Sequence, residues 1–198
     1  MNFGRRKTQR YTLRSPKLED LRKLGRLIAD PEAFREKYGG LLSLLKVNMM
    51  EGVLSTLVQF YDPVYHCFTF PDYQLMPTLE EYSHLIGLPI SDQDPFTGLE
   101  AVPKDQIIAR VTTLKVSDIN AHMTTKGGIL NLPARFLMDK AQHFGNMGNM
   151  SAFDIIFALL VYGLFLFPNI DDFVDINAVK IFLIQNPVST LLADFLNP

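Results

Sequence analysis

The sequence lacks tryptophan and has almost no cysteine. Among its 198 residues, Cys67 is the single cysteine. One cysteine cannot form an internal disulfide, so a disulfide-stapled domain is excluded and a reducing compartment is expected. Apolar residues make up 47% of the chain and charged residues 20%, which is typical of a globular protein rather than a disordered one. The length predicts one domain with a core of its own.

The sequence also lacks an apolar run long enough to cross a membrane. The most apolar segment, residues 155–167, has no charge over 13 residues. As a helix it would reach about 20 Å, whereas a bilayer core is about 30 Å thick. It is therefore predicted to be a buried central helix. Polar and basic residues follow Met1, so no secretory signal is expected.

Motifs for nucleophilic catalysis and phosphate binding are missing as well. No serine stands in a G-x-S-x-G elbow, and the sequence around Lys126 lacks the order of a phosphate-binding loop. The four histidines have no helical ligand spacing, which argues against zinc. Cys67 could serve as a nucleophile beside a histidine and an acid, but in an aromatic strand a small buried hydrophobe is the simpler interpretation. We predict no enzyme activity, no cofactor and no metal site.

One short motif suggests metal chemistry. Residues 171–175 read Asp-Asp-Phe-Val-Asp. On a helix, Asp171 and Asp175 would share one face and could hold magnesium against a diphosphate. The alternative is that Asp171 or Asp172 begins a helix and complements its dipole. No second metal motif accompanies the first, so helix capping is favoured.

Charge is distributed unevenly along the chain. Residues 1–26 hold nine basic side chains against Glu19 and Asp20, although the whole chain carries a net charge of −2. Such a basic segment can act as a nuclear-import signal or touch nucleic acid, or it can be a solvated tail. The candidates for import or nucleic-acid binding are Arg5, Arg6, Lys7 and Arg10. We predict a flexible basic arm over residues 1–14 and a single domain over residues 15–198.

Residues 60–89 are the most informative stretch. Asp62-Pro63 ends the preceding helix, because proline has no amide donor and restricts the residue before it. The aromatic and branched residues 64–70 predict a strand, residues 71–73 a turn, and residues 74–76 a short partner strand.

A helix is predicted to follow the hairpin. Thr78 and Glu81 have the spacing of a capping box, and Gly87 and Pro89 end the helix. An apolar stripe on this helix is expected to face the core. The members of that stripe are Leu79, Tyr82, Leu85 and Ile86.

Start and stop signals predict helices through most of the remaining chain. Ser15-Pro16 and Asp30-Pro31 each begin one, and Gly39-Gly40 ends the second. Apolar residues from Met50 to Tyr61 recur at a helical period. Further helices are predicted from about Pro103, with Ser117 as N-cap, from Pro133, and with Ser151 as N-cap of residues 152–167. Residues 125–128 are interpreted as a helix end and a turn. The predicted fold class is mainly α, a multi-helix globular domain with one small β-hairpin.

Several separated segments carry a family resemblance. They are Phe60-Tyr61-Asp62-Pro63, residues 65–70, residues 78–82, Leu85-Ile86-Gly87-Leu88-Pro89, residues 124–128 and residues 162–171. In this order they resemble the plant mobile domain, also labelled aminotransferase-like, and its retrotransposon-associated branch, over about residues 30–190. The positions that match the family motif are interpreted as structural: Tyr61, Asp62, Pro63, Cys67, Phe68, Thr78, Glu81, Gly87, Pro89, Gly127 and Gly128.

The resemblance implies a mostly helical, transposon-linked protein. Some members of that family are nuclear and act with phosphatase-like partners in transposon silencing and genome stability. The aminotransferase label is not carried over, because Lys126 lacks the sheet domain and phosphate cup that pyridoxal phosphate needs. Family domains usually have tryptophan where Tyr61 stands and continue further, so the resemblance implies a truncated copy.

The resulting hypothesis is a non-enzymatic interaction domain with nuclear protein partners and no membrane contact. We expect it in the nucleus, or otherwise in the cytoplasm. The alternative is nucleic-acid binding through the basic arm.

Overall fold

The computed structural model describes residues 18–47, 51–62, 67–76, 78–88, 105–167 and 170–183. Within these ranges helices predominate, and the strands form two small antiparallel sheets. The prediction of a mainly α fold is confirmed. The predicted strand content is too low, because the sequence indicated one hairpin whereas the described residues contain two sheets of three strands each.

The elements are as follows. The helices are α1 (Leu18–Gly25), α2 (Pro31–Tyr38), α3 (Leu41–Leu44), α4 (Glu51–Leu57), α5 (Leu79–Ile86), α6 (Asp105–Thr112), α7 (Val116–His122), α8 (Ala134–Asn146), α9 (Met150–Phe165) and α10 (Ile176–Leu183), with a 3-10 turn at Val58–Phe60. The strands are β1 (Tyr61–Asp62), β2 (Cys67–Thr69), β3 (Gln74–Leu75), β4 (Thr124–Lys126), β5 (Ile129–Pro133) and β6 (Phe173–Asp175).

Helix α9 forms the centre of the core, as predicted. Its residues from Ile156 to Leu164 are all buried, because an uncharged helix that is apolar all round is stable only when protein surrounds it. Helix α8 packs along α9. Helix α9 is also contacted by α1, α3, α6 and α10. No helix within the described ranges is long and apolar enough to cross a membrane.

The N-cap of α9 is Asn149 rather than Ser151. Its side-chain oxygen accepts a hydrogen bond from the Ala152 amide at 3.3 Å. Gly148, with φ of 73°, turns the chain immediately before Asn149 and so places this side chain at the first unpaired amides. The prediction of a side-chain cap at Ser117 is also wrong. Helix α7 begins one residue earlier, and no side chain caps it.

The second sheet was not predicted. Strands β4 and β5 form a hairpin in which Lys126 lies opposite Ile129 across a two-residue turn. Both turn residues, Gly127 and Gly128, have positive φ, as the favoured hairpin turns require. Strand β6 then pairs with β5, with Val174 opposite Leu132. The predicted turn is confirmed at Gly127 and Gly128, whereas residues 125 and 126 belong to β4 and not to a helix end.

Helix α2 begins and ends where the sequence predicts. The Asp30 carboxylate accepts hydrogen bonds from the amides of Glu32 and Ala33 at 3.0 Å each. Gly39 ends the helix with φ of 65°, a conformation that side chains other than glycine disfavour. The predicted cap at Ser15-Pro16 lies outside the described residues.

Gly163 tests the packing between α9 and the second sheet. A Cβ atom at Gly163 would lie 2.5 Å from Cγ1 of Val174, a fully buried residue of β6. We expect Gly163→Ala to lower the free energy of unfolding by about 1–3 kcal/mol in urea denaturation, because overpacking outweighs the better helix propensity of alanine.

Gly52 in α4 is the matched control. A Cβ atom there would meet nothing within 4 Å. Gly52→Ala should raise stability by about 0.5–1 kcal/mol. If the two alanine variants are equally stable, the close approach of α9 to Val174 is not as described.

Candidate interaction surface

The first sheet is formed within residues 61–62 and 67–75. Tyr61 pairs with Phe68 and Asp62 with Cys67, which joins β1 to β2. The predicted hairpin is confirmed for residues 67–75: β2 pairs with β3, and the Phe70 amide donates a hydrogen bond to the Tyr73 carbonyl at 2.9 Å across the turn. Residues 64–66 of the predicted strand lie outside the described residues.

Strand β1 replaces the predicted end of a helix. The helical period suggested that α4 continues to Tyr61, but the helix ends at Leu57 and the 3-10 turn leads directly into β1. The Tyr61 ring meets the Phe68 ring edge-on at 5.5 Å, so pairing with β2 competes with the helical conformation. Val53, predicted to belong to the apolar stripe of α4, is exposed.

Cys67 lies on the inner side of the sheet. It is only 4% exposed, and its sulfur lies 3.6 Å from the Thr69 hydroxyl. Thr69 follows two residues later and therefore points to the same face. The interpretation of Cys67 as a small buried hydrophobe is confirmed.

Three aromatic rings stack on this unit. The Phe70 ring lies 4.9 Å from the Phe60 ring and 4.7 Å from the Tyr73 ring, with interplanar angles of 27° and 25°. Phe60 is exposed and Tyr73 is 60% exposed, so the stack is open to solvent at both ends. Aromatic side chains with exposed rings are typical of binding surfaces.

Two further apolar side chains extend this exposed area. Leu75 in β3 is 47% exposed, and Met76, immediately after the strand, is 58% exposed. We call the five residues Phe60, Phe70, Tyr73, Leu75 and Met76 the hairpin surface. Sequence reasoning identified the turn and both strands but assigned no function to these side chains.

Helix α5 closes the unit with the predicted capping box. The Thr78 hydroxyl accepts from the Glu81 amide at 3.2 Å, and the Glu81 carboxylate accepts from the Thr78 amide at 3.0 Å. Gly87 is the left-handed C-cap. The predicted apolar stripe is only partly right, because Ile86 is fully buried whereas Leu85 is exposed.

A glycine joint attaches this unit to the helical body. The Gly40 amide donates a hydrogen bond to the Ile86 carbonyl. A Cβ atom at Gly39 would overlap that same carbonyl oxygen, so only glycine permits the approach. The end of α2 and the end of α5 are thereby held together.

The other motif positions divide into two groups. Gly127 and Gly128 form the turn of the second sheet, in which the Lys126 ammonium lies 4.2 Å from the centre of the Phe173 ring. Pro63 and Pro89 lie outside the described residues. So do the four basic candidates of the arm, Arg5, Arg6, Lys7 and Arg10.

The aspartates of residues 171–175 do not share a helix face. Asp171 and Asp172 lie in an exposed turn, Asp175 is buried at the end of β6, and α10 begins only at Ile176. Pairing of β6 with β5 imposes the extended conformation, so the predicted helix start was wrong. Asp175 accepts from the Asn177 amide at 2.7 Å. Within the described ranges, no group of three or more histidine, cysteine or acidic residues could hold a metal ion.

A buried polar pair lies elsewhere, between α2 and α9. The Tyr38 hydroxyl and the Asp154 Oδ1 are buried without a hydrogen-bond partner in the described part of the structure. Burial, with the nearby Asp154 carboxylate, raises the pKa of Tyr38 to about 12. Burial also raises the pKa of Asp154, although Lys37 opposes this shift. Asp154 lies beyond the first turn of α9, so the helix dipole does not stabilise its carboxylate.

Comparison with known proteins gives one match. A family model described as Domain of unknown function (DUF7745) matches residues 21–197. Searches of curated proteins and of solved structures returned no match.

The partly buried Asp154 predicts a pH-dependent stability. Because its pKa is higher in the folded chain than in the unfolded chain, folding favours the protonated form. Asp154→Asn should therefore raise the urea midpoint at pH 7, and the gain should vanish as the pH falls below the ordinary aspartate pKa of about 3.9.

Asp139 provides the control for that measurement. It is an exposed aspartate on α8, paired with Arg135 at 3.0 Å. Asp139→Asn should change the midpoint little at pH 7, because exposed ion pairs contribute little. A lower midpoint for Asp154→Asn at pH 7 would contradict the assignment of Asp154 as an unfavourably buried carboxylate.

Proposed function

Because the chain belongs to the DUF7745 family, a domain of unknown function, we propose its function from its surface: a non-enzymatic, transposon-derived interaction domain that works in the nucleus with protein partners. The observation that carries this proposal is the hairpin surface. It exposes Tyr73, Leu75 and Met76 next to stacked aromatic rings. Exposed apolar groups that lie together, rather than singly, mark sites of protein contact.

The hairpin surface lies on a folded unit that is connected to the helical body. Cys67 and the inner side of β2 are packed, the capping box fixes α5, and the glycine joint ties α5 to the helical body. A binding surface on hydrogen-bonded strands loses less conformational entropy on association than a surface on a loose loop. This arrangement favours specific binding by a folded surface over non-specific adhesion by an unfolded segment.

The resemblance to the plant mobile domain supports the cellular part of the proposal. It suggests nuclear partners, including phosphatase-like proteins, and a role in transposon silencing or genome stability. Two of the segments that carry the resemblance, Phe60-Tyr61-Asp62-Pro63 and residues 65–70, fall in or beside the first sheet. The proposed interaction and the resemblance therefore concern the same part of the chain.

The proposal predicts that a double substitution on the hairpin surface removes the partners. Leu75→Ser/Met76→Ser takes away exposed apolar groups without opening the core. Each apolar side chain contributes on the order of 1 kcal/mol to association, so partner recovery should fall by about tenfold or more. The measurement is affinity purification of the tagged full chain from nuclease-treated plant nuclear extract, quantified by mass spectrometry.

The chain offers a matched control. Leu130 in β5 and Met147 after α8 are also exposed, and neither belongs to the hairpin surface. Leu130→Ser/Met147→Ser should leave partner recovery unchanged. Equal losses for both double variants, or recovery of chaperones alone by the parent chain, would argue against the proposal. Circular dichroism of each variant establishes that it is folded.

The alternative function is nucleic-acid binding through the basic arm. The observation in its favour is the set of nine basic residues within residues 1–26. If this alternative is right, the full chain binds a single-stranded oligonucleotide with strong salt dependence. Replacing Arg5, Arg6, Lys7 and Arg10 by glutamine should then reduce the slope of log affinity against log salt by about 3. An unchanged slope excludes these four residues as phosphate contacts.

A further inference from the structure

The hairpin surface lies in a region of the chain that has no positive side chains other than histidine. All 19 lysines and arginines fall outside residues 47–103, where an even distribution would place about five. The same stretch contains eight acidic residues: Glu51, Asp62, Asp72, Glu80, Glu81, Asp92, Asp94 and Glu100. The local charge is therefore strongly negative, although the whole chain is nearly neutral.

Local structure accounts for only part of this acidity. Glu81 is used in the capping box, and Asp62 is half-buried within β1. Asp72 and Glu80 are exposed, and both lie within a few residues of members of the hairpin surface in the chain. Asp72 stands in the turn between Phe70 and Tyr73, and Glu80 lies in the first turn of α5, four residues after Met76.

Strand β3 adds a directional feature. The strand order of the first sheet is β1-β2-β3, so β3 is an outer strand and, within the described residues, pairs only with β2. Both of its residues are exposed. An outer strand can accept an extended segment of another chain through main-chain hydrogen bonds, while neighbouring side chains provide selectivity.

From these observations we propose that the hairpin surface binds a cationic, apolar segment of a partner protein. Apolar side chains of that segment cover Leu75, Met76 and the aromatic stack, and its lysines or arginines approach Asp72 and Glu80. This inference rests on the proposed function and names the chemical class of the partner. The negative charge also disfavours nucleic acid at this surface, because phosphates would be repelled.

Peptide binding to the full chain tests the proposal directly. Three synthetic peptides share the same apolar residues and differ only in carrying lysine, glutamine or glutamate at the remaining positions. We expect the lysine peptide to bind best and the glutamate peptide not at all. The affinity of the lysine peptide should fall as the salt concentration rises from low to physiological, because salt screens the attraction between exposed charges.

Two double variants separate the contributions of charge and apolar contact. Asp72→Asn/Glu80→Gln should weaken the lysine peptide about fivefold and flatten its salt dependence, since exposed charge pairs are individually weak. Leu75→Ser/Met76→Ser should weaken both the lysine and the glutamine peptides. The matched control is Glu19→Gln/Asp139→Asn, which removes exposed acids on α1 and α8 and should leave all affinities unchanged.

Several outcomes would overturn the proposal. These are equal affinity for the three peptides, equal weakening by the control variant, oligonucleotide binding that Tyr73→Ser abolishes, or self-association in sedimentation that Asp72→Asn/Glu80→Gln abolishes. If recovery of nuclear partners requires Leu75 and Met76 but the lysine peptide does not bind, the proposed interaction function stands. The proposal that the partner segment is cationic is then wrong. If neither partners nor peptides bind, both proposals fail.

Discussion

The hydrogen bond from the Gly40 amide to the Ile86 carbonyl is the contact on which the arrangement of the two parts depends. It joins the end of α2 to the end of α5, and it requires a main chain that carries no Cβ at Gly39. On one side of this joint lie the helices packed around α9, and on the other lies the first sheet with its exposed aromatic stack. Ile86, fully buried beside the joint, adds an apolar contact that water cannot replace. The joint therefore connects the helix that follows the first sheet to the helical body.

The parts of the fold that sequence reasoning predicted are those that depend on local chemistry. Asp30-Pro31 and Thr78 with Glu81 act through hydrogen bonds to amides two or three residues away, so their caps could be read from spacing alone. The central helix was predicted from its lack of charge. Strand β6 was missed because it pairs with β5 about forty residues earlier in the chain, and nothing local in Phe173 or Val174 records that partner. The β4–β5 hairpin did have a local signal, the two glycines of its turn, but this signal was interpreted as a helix end.

At the hairpin surface, too, the sequence predicted the local structure but not which side chains are exposed. The turn and strands around Phe70 were predicted from proline and aromatic residues, and the structure confirms them. Exposure was not predictable, because helical spacing groups Leu85 with Ile86 although only the Ile86 side chain is buried. Periodicity shows which residues share a face, whereas burial depends on which faces meet another element. The metal-site hypothesis for residues 171–175 depended on a helix, because only a helix would bring Asp171 and Asp175 to one face. The structure has a turn and strand β6 at these positions, so the spacing has no such consequence.

The distribution of charge finally connects the two functional hypotheses. The basic arm and the acidic stretch lie at separate positions in one chain, so they attract different classes of molecule. A single surface that served nucleic acid would need positive charge beside the aromatic stack, because base stacking alone does not offset phosphate repulsion. The stack at Phe60, Phe70 and Tyr73 instead lies in a stretch of the chain without lysine or arginine, and the exposed Asp72 immediately precedes Tyr73. Exposed aromatic rings in an acidic stretch favour a partner that is both apolar and cationic, and protein segments are the common biological molecules that combine these two properties. The charge and apolar character of this surface therefore favour the proposed protein partner over nucleic acid at the hairpin surface.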